Sequence, residues 1–551
     1  MNGWFRNMIK NFLETIDWLV ASAERAYNWL QKYNKVVITL FTLLPTAFLT
    51  TACDLGFSSP IPGDPCDLTN VSTPSSNGIG VSKAANGEYI GISNGSFAFD
   101  TTPDQTRLDG DVKCQAASQF RTRNIQMAQN LWETAHKEDS SDAEALIYLE
   151  DQQVLASGHS HITLVVATTL TGPFVSLGRD NLQGAYVAQK EYNEGSKLTN
   201  GLKMLLLIAN LGSDSNNATA VARQIVQAAQ VDKTIVGIMG FPLSSYVPQA
   251  IPVLQLAHLP IVSSGASSDT LSGISPFFFR VVPPDSIQAR VGADYAIHNL
   301  HAHNVALFYD PKDLSNNGFA NDLKHNFAEF KSITVVEEKY AVEHPEMLSA
   351  LLTDAIKRHV DLVYFIGYVT DLNTLLINLP STSKMVIMGG NNFYQVQGYS
   401  IWSRPNFTRL HFTAFAYPDE WKIMCQHKLG DGCPQPSFIS SYSQAFNDNS
   451  HQGSPYGYTR ANSNTIVSYD ALNVLLMGYQ LALPKGQKTT LTPSQEQIGL
   501  EMISSTHTFQ GISGQISFGK DGNPINKSIV LLYVNPDGFI NIVPGIGIVT
   551  H

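Results

Sequence analysis

From His161 to Gly389 the sequence keeps switching between two periodicities, and that alternation narrows the architectures open to it. Short β-branched or aliphatic runs bounded by Gly, Asn or Ser are each followed by a stretch of helical period: "HITLVVATTL", a helix over 178–194, "LKMLLLIAN", a helix over 215–230, "TIVGIMG", a helix over 246–257, and "PIVSSG". After "FFFRVVPPD" a second series begins: helix 286–300, "NVALFYD", helix 316–330, "ITVVEEKY", helix 346–358, "LVYFIG", helix 371–379 and "KMVIMGG". A strand buried on both faces reads as a continuous apolar run, whereas its crossover helix is apolar on one side only, so these are βα units around parallel sheets. Two series predict an α/β protein of two doubly wound lobes with a cleft between them. In such open sheets ligands sit beyond the carboxyl ends of the strands, where loops meet helix N-termini. Two serine-rich bends, in "GFPLSS" and "SSGASSD", fall at such ends.

The rest of the 551 residues adds appendages to this core. From 118 to 156 apolar or small residues recur at helical spacing (Ala128, Leu131, Trp132, Ala135, then Ala145, Leu146, Tyr148, Leu149) around a polar "KEDSSD" turn. This predicts a small helical hairpin, and it resembles a single tetratricopeptide-like unit. A solenoid needs several repeats to bury its faces and no second copy occurs, so the hairpin reads as a packed appendage. Residues 54–80 are rich in Pro, Ser, Gly and Asn and read as a flexible linker.

Residues 36–52 form a charge-free run after Lys32 and Lys35 and stop at Cys53. A basic flank, an apolar stretch and small residues before a cut make an export signal; an uncleaved anchor is the alternative. "LTTAC" resembles a bacterial lipoprotein signal, which implies lipid on Cys53 and a protein held at the outer face of the cell membrane. The leader 1–35 is rich in helix formers, and nothing in it explains its role. Without Cys53 an even number of cysteines remains, which suits disulfides in an oxidising compartment. The spacing favours Cys425 with Cys433, leaving Cys66 with Cys114. Charged residues make up 15% and the net charge is −11, so no basic stripe for nucleic acid is present.

In order along the chain, "ATTLTGPFVSLGRDNLQGAYVAQKEYNEG", "SNNATAVARQIV", "VGIMGFPLSSYVPQAIPVLQLAHLPIVSSGASSDTLS", "FFFRVVPPDSIQARVGADY" and "GISGQISFGKDGN" resemble the landmarks of type I periplasmic binding proteins of the leucine/isoleucine/valine-binding branch. The resemblance runs from 161 to 551. It implies two Rossmann-like lobes that close on a small solute and an ABC transporter permease as partner. It divides the chain into a leader and signal or anchor (1–53), the linker (54–80), an N-terminal extension (81–160), lobe one (161–283 and 415–515) and lobe two (284–414 and 516–551).

The resemblance also implies site residues. Ser244 and Ser245 of the first bend would offer hydroxyls and backbone N–H groups to a ligand oxygen, while Ala266 and Ser267 of the second would offer a carbonyl and a hydroxyl. Helix N-capping is the plain alternative for such serines. In lobe two, Asn317 stands where the family has a tyrosine, Tyr368 matches a family tyrosine and would cover the ligand, and Asn391 stands at the usual acid. An ammonium left without a carboxylate in a closed cleft is costly, so a neutral or anionic solute fits unless Asp371 or Asp310 supplies the charge.

His298 and His301 share a helix face, and "HSH" occurs at 159–161, but neither comes with the further ligands a metal needs; solvated helix ends suit them. No GxSxG, HExxH or P-loop occurs. The expectation is therefore a binding protein, not an enzyme, without cofactor or metal. A sensory or partner-binding ectodomain on the same fold is the alternative, suggested by the extension and by the long aromatic insertion at 417–463.

Overall fold

The computed structural model describes residues 76–101, 108–195, 201–342, 344–394, 399–429, 434–446, 460–483, 491–536 and 539–550. The leader, the Cys53 signal and nearly all of the linker lie outside the described residues.

The first sheet takes β1 (Gly80–Lys83), β2 (Tyr89–Ser93), β3 (His161–Thr168), β4 (Lys203–Asn210), β5 (Ile235–Gly240), β6 (Ile261–Ser263) and β7 (Phe278–Arg280) in the order β1-β2-β4-β3-β5-β6-β7. Its core β4-β3-β5-β6-β7 is parallel, while β1 and β2 add an antiparallel edge. Before β3 come α1 (Gly110–Arg121), α2 (Ile125–Glu138) and α3 (Ala143–Ser157); between the strands lie α4 (Val175–Gly195), α5 (Asn217–Val231) and α6 (Val247–Leu254).

The chain then enters α7 (Asp285–His298) and a second series: β8 (Asn304–Tyr309), α8 (Leu314–Ala328), β9 (Thr334–Lys339), α9 (Met347–Lys357), β10 (Leu362–Ile366), α10 (Val369–Asn378), β11 (Val386–Gly389) and β12 (Leu410–Ala414). It leaves that sheet for α11 (Glu420–Leu429), α12 (Ser437–Phe446), α13 (Ser463–Ala482), α14 (Pro493–Glu501), β13 (Phe509–Gly511) and β14 (Gly514–Ile516). It returns through β15 (Ile529–Val534), β16 (Ile540–Ile542) and β17 (Ile548–Val549). The second sheet runs β16-β15-β12-β11-β10-β8-β9, with β17 on β15. In each sheet the first core strand, β3 or β8, has its successors on opposite sides. The loops after β3 and β5, and after β8 and β10, therefore diverge and open a crevice at the strands' carboxyl ends.

The extension differs from the simple hairpin read in the sequence. It has three helices, and its two strands complete the first sheet. The "KEDSSD" turn is polar yet buries Asp139, Ser141 and Asp142, because it carries counter-charges. Asp139 accepts from Arg179 Nη1 of α4 at 2.7 Å, and Asp100 accepts from Arg179 Nε. Lys113 of α1, also buried, lies 2.9 Å from Asp142 and 3.2 Å from Glu144. Beside these ions Trp132 packs on Phe120 and Tyr148, with centroids 5.6 and 5.5 Å away. The insertion also builds core: Phe438, Tyr442 and Phe446 of α12 are buried, and Tyr442 donates to Gln183 of α4 at 3.2 Å. Residues 447–459 of the insertion lie outside the described residues.

Asp109 faces Asp142 beside Lys113, and burial first, then the Asp142 carboxylate, push its carboxyl up to about 9. Neither Asp109 oxygen accepts an N–H or O–H from a neighbour, while Asp142 Oδ2 is paired with Lys113 Nζ at 2.9 Å, so a proton carried by Asp109 and shared with Asp142 fits the geometry. A folded pKa above the unfolded one means stability is lost as pH rises from about 4 through about 9. Asp109→Asn is thus expected to stabilise the protein by about 1 kcal/mol or more at pH 8 and to flatten this loss. Urea unfolding at pH 6 and pH 8 checks it; a destabilisation that is the same at both pH values would count against the shared proton.

Candidate functional site

The first wall is built where β5 ends. Gly240 has φ +139, and a Cβ there would lie 2.0 Å from the Ala167 carbonyl oxygen, so only glycine allows the turn. Phe241 follows at φ 49 and sends the chain into the first serine bend. Ser244 Oγ accepts from the Ser268 N–H at 3.1 Å, which ties the two serine bends together. Ser263 Oγ donates to the Phe241 carbonyl at 3.1 Å and accepts from the Ala266 N–H at 3.1 Å.

The second bend is held from below by Arg280, the last residue of β7 and fully buried. Its Nη1 donates to the carbonyls of Ala266 at 3.0 Å and Ser268 at 2.8 Å. Its Nη2 reaches Ser272 Oγ at 3.0 Å, and its Nε reaches Asn523 Oδ1 at 2.7 Å. One guanidinium thus fixes the bend and the later crossover that carries Asn523.

The opposite wall comes from the second sheet. Tyr368, just after β10, donates to Asp313 Oδ2 at 3.0 Å, and its ring meets Phe174 from the loop after β3 at 4.9 Å. At the back, Asn391 donates to Asn464 Oδ1 at 3.0 Å, while its own oxygen accepts from Ser463 Oγ at 2.7 Å and the Phe415 N–H at 3.3 Å. Asn464 in turn donates to Asp180 Oδ2 at 3.2 Å. Burial pushes the Asp180 carboxyl up to about 7. A run of side-chain amides therefore joins β11 to α4 through the first turn of α13.

Between these walls lies a cleft of ≈ 770 Å³, its open mouth included. Ser244, Ser245, Ser267, Tyr368 and Asn391 line it; Ala266 and Asn317 do not. The Ala266 carbonyl, expected to face an ammonium, instead accepts from Arg280, and Asn391 spends its amide on the protein. On α8 it is Ser315, Asn316 and Phe319 that reach the cleft, and Asn317 is turned about 100° from Asn316, away from it. Asp310 accepts from the Lys312 and Val342 N–H groups, and Asp371 from the Tyr340 hydroxyl; neither lines the cleft.

Arg280, Asp285, Gln288, Asn316 and Asn464 were not singled out from the sequence. The signal for the first two was a lone Arg and a lone Asp bracketing an apolar stretch, "RVVPPD", at the end of a buried strand. Cys114 and Cys425 are both disulfide-bonded, while Cys53, Cys66 and Cys433 lie outside the described residues. Among the described residues no three His, Cys, Asp or Glu side chains gather as metal ligands, and no helix is long and apolar enough to cross a membrane.

Residues 181–537 match the protein family described as the receptor family ligand binding region, well over half of the chain. The chain belongs to that family. Within this ligand-binding family it is 25% identical over 247 residues to the Leu/Ile/Val-binding protein homolog 3 of Brucella melitensis, covering 45% of this chain and 65% of that protein, a little under two thirds of its length. Its fold is that of the type I periplasmic binding proteins. The branched-chain amino acid transporter substrate binding protein of Streptococcus pneumoniae, solved with isoleucine, superposes with a TM-score of 0.58 at 18% identity over 71% of this chain and 100% of that one. A solute binding protein of an ABC transporter from R. palustris, solved with 4-hydroxybenzoate, gives 0.57 at 14% identity over 71% and 97%.

Proposed function

We propose that the chain is an extracytoplasmic solute-binding protein that closes two lobes on a small polar molecule, amino-acid-like or a related amide or carboxylate, and passes it to the permease of an ABC importer. Lobe one comprises 161–283 and 415–515, extended by 81–160; lobe two comprises 284–414 and 516–551. The observation that carries this reading is a cleft beyond the carboxyl ends of the parallel strands of two sheets, walled by hydroxyls and amides from both. The relatives support it, since their names and bound molecules are those of amino-acid and small-carboxylate carriers. Lipid on Cys53 would hold the protein at the membrane's outer face, and mass spectrometry of the mature N-terminus tests that.

A sensory or partner-binding role is the second reading. It draws on the extension and insertion, because the Streptococcus structure is matched over its whole length by only 71% of this chain. A thermal-shift screen of the full chain against amino acids, amides, carboxylates, sugars and nucleosides separates the two. A ligand at 100 times its Kd should add about 2.7 kcal/mol. A hit lost in Ser267→Ala and Tyr368→Ala is the expected result; no response across the library would favour the second reading.

A further inference from the structure

We propose that the N-terminal extension is part of the binding machinery: the turn between β1 and β2 positions the loop after β3, so that Phe174 meets Tyr368 across the cleft and slows the escape of a bound solute. Glu88 of that turn is the positioning residue. The assignment rests on the solute-binding reading above. It gives the extension a role at the cleft, although the extension lies outside the stretch from 161 to 551 that carries the family resemblance.

Strand direction brings the turn there. β4 runs parallel to β3, and its last residue, Asn210, stands at the carboxyl end of the sheet, where the cleft opens. β2 runs antiparallel to β4, and their pairing ends at Gly91 opposite Asn210. Tyr89 and the turn before it therefore project past the ladder to the cleft end. A hairpin that served the sheet edge alone would stop with the ladder. This one continues into two sets of contacts with the loops.

The first set belongs to a carboxylate. Glu88 Oε2 accepts from the Ser213 N–H at 2.6 Å, and Oε1 accepts from the Ser213 hydroxyl at 2.7 Å. Hydrogen bonds to a charged acceptor are the stronger kind. Gly172 in the loop after β3 and Gly212 in the loop after β4 press on the same carboxylate, so that a Cβ on either would strike one of its oxygens. The second set belongs to Asn210, which is fully buried. Its amide donates to the Tyr89 carbonyl at 2.7 Å and the Thr171 hydroxyl at 3.1 Å, while its oxygen accepts from the Leu170 N–H at 2.7 Å and the Gly212 N–H at 3.1 Å. One side chain ties the extension to both loops. The Thr169 hydroxyl then donates to the Phe174 carbonyl at 3.1 Å and closes the first loop on itself.

Across the cleft, Asp313 holds the Tyr368 hydroxyl at 3.0 Å, and the two rings lie 4.9 Å apart. Such a contact between lobes is strongest when both rings are in place before closure, because a loop ordered only at closure loses conformational entropy then. Release requires the rings to part, so the effect of Glu88 falls on koff more than on kon.

The test uses the full chain and whichever of leucine, glutamine, acetamide, benzoate, ribose and adenosine from the screen above it binds most tightly. In stopped-flow kinetics Glu88→Ala should raise koff about fivefold or more and leave kon within about twofold. Glu88→Gln, which keeps an acceptor for the Ser213 N–H, should recover most of that loss. In a Phe174→Ala background Glu88→Ala should add less than about twofold, because the ring through which it acts is gone. Without solute, hydrogen exchange across 169–174 should quicken about fivefold in Glu88→Ala and stay unchanged at β7. A lower urea midpoint with an unchanged koff would reduce the hairpin to a structural edge and overturn the assignment. A koff effect that persists without Phe174, or unchanged exchange across 169–174, would overturn it as well, and all three results leave solute binding intact. If Glu88→Ala does not fold, Ser213→Ala removes one of the two bonds; koff should then rise about twofold, and no rise would overturn the assignment. No binding by the unaltered chain across the screen would instead remove the solute-binding reading, and this role with it.

Discussion

Arg280→Met is expected to lower stability by about 3–5 kcal/mol and to abolish solute binding, although Arg280 lies behind the bend and not in the cleft lining. The methionine fills much of the volume but leaves the carbonyls of Ala266 and Ser268 and the side chain of Asn523 without their donor. Buried acceptors stranded in this way cost about 1–3 kcal/mol each, and hydrogen bonds from a charged donor are the stronger kind. The bend that presents Ser267 would then relax, so the effect should reach the Kd and not the stability alone. Ser272→Ala, which removes the partly exposed bond to Nη2 and the exposed one from Asn523 Nδ2 but leaves the two carbonyls their donor, should cost about 1 kcal/mol and spare binding. Urea midpoints and titration with a screen hit measure both. An Arg280→Met protein that still binds as tightly would show that the bend holds its shape by itself.

Arg179→Met should be comparably damaging at a different place. It removes the cation that Asp100 and Asp139, both buried, pair with, and breaks the link from α4 to the strand-helix loop and the turn of the extension. Removing one partner of a buried ion pair costs about 3–5 kcal/mol because an uncompensated charge stays behind. Neutralising those charges as well, in Arg179→Met with Asp100→Asn and Asp139→Asn, should recover part of the loss, since the three side chains form one network and their effects do not add. A fall in the urea midpoint, together with protease cuts within 108–157, is the expected pattern. Losses that add across the three substitutions would mean that the ions act separately.

These two arginines mark where sequence reasoning reaches its limit. The βα alternation was legible because a parallel strand buried on both faces has to be apolar throughout, as "TIVGIMG" and "LVYFIG" are. The serine bends were legible because their place at strand ends follows from that alternation. The strands Gly80–Lys83 and Tyr89–Ser93 were not, since "GVSK" and "YIGIS" are short and the sheet edge that pairs them lies more than a hundred residues away, at β4. Helix phase hid the choice between Asn316 and Asn317, because a shift of one residue turns a side chain by about 100°. The "KEDSSD" turn looked solvated because its charges are visible in sequence while their partners, Arg179 and Lys113, are visible only in space.

The account turns on lobe closure around a solute, and the distance between the lobes reads it directly. Leu256, between β5 and β6 of the first sheet, and Trp402, between β11 and β12 of the second, are 82% and 54% exposed and lie outside the cleft lining, so cysteines there can carry a fluorescent pair without touching the site. Adding a saturating hit from the thermal-shift screen should raise energy transfer, and Tyr368→Ala should weaken the response by removing the ring that meets Phe174 across the cleft. A solute that stabilises the protein with no change in transfer, in the parent and in Tyr368→Ala alike, would contradict closure and place its binding elsewhere.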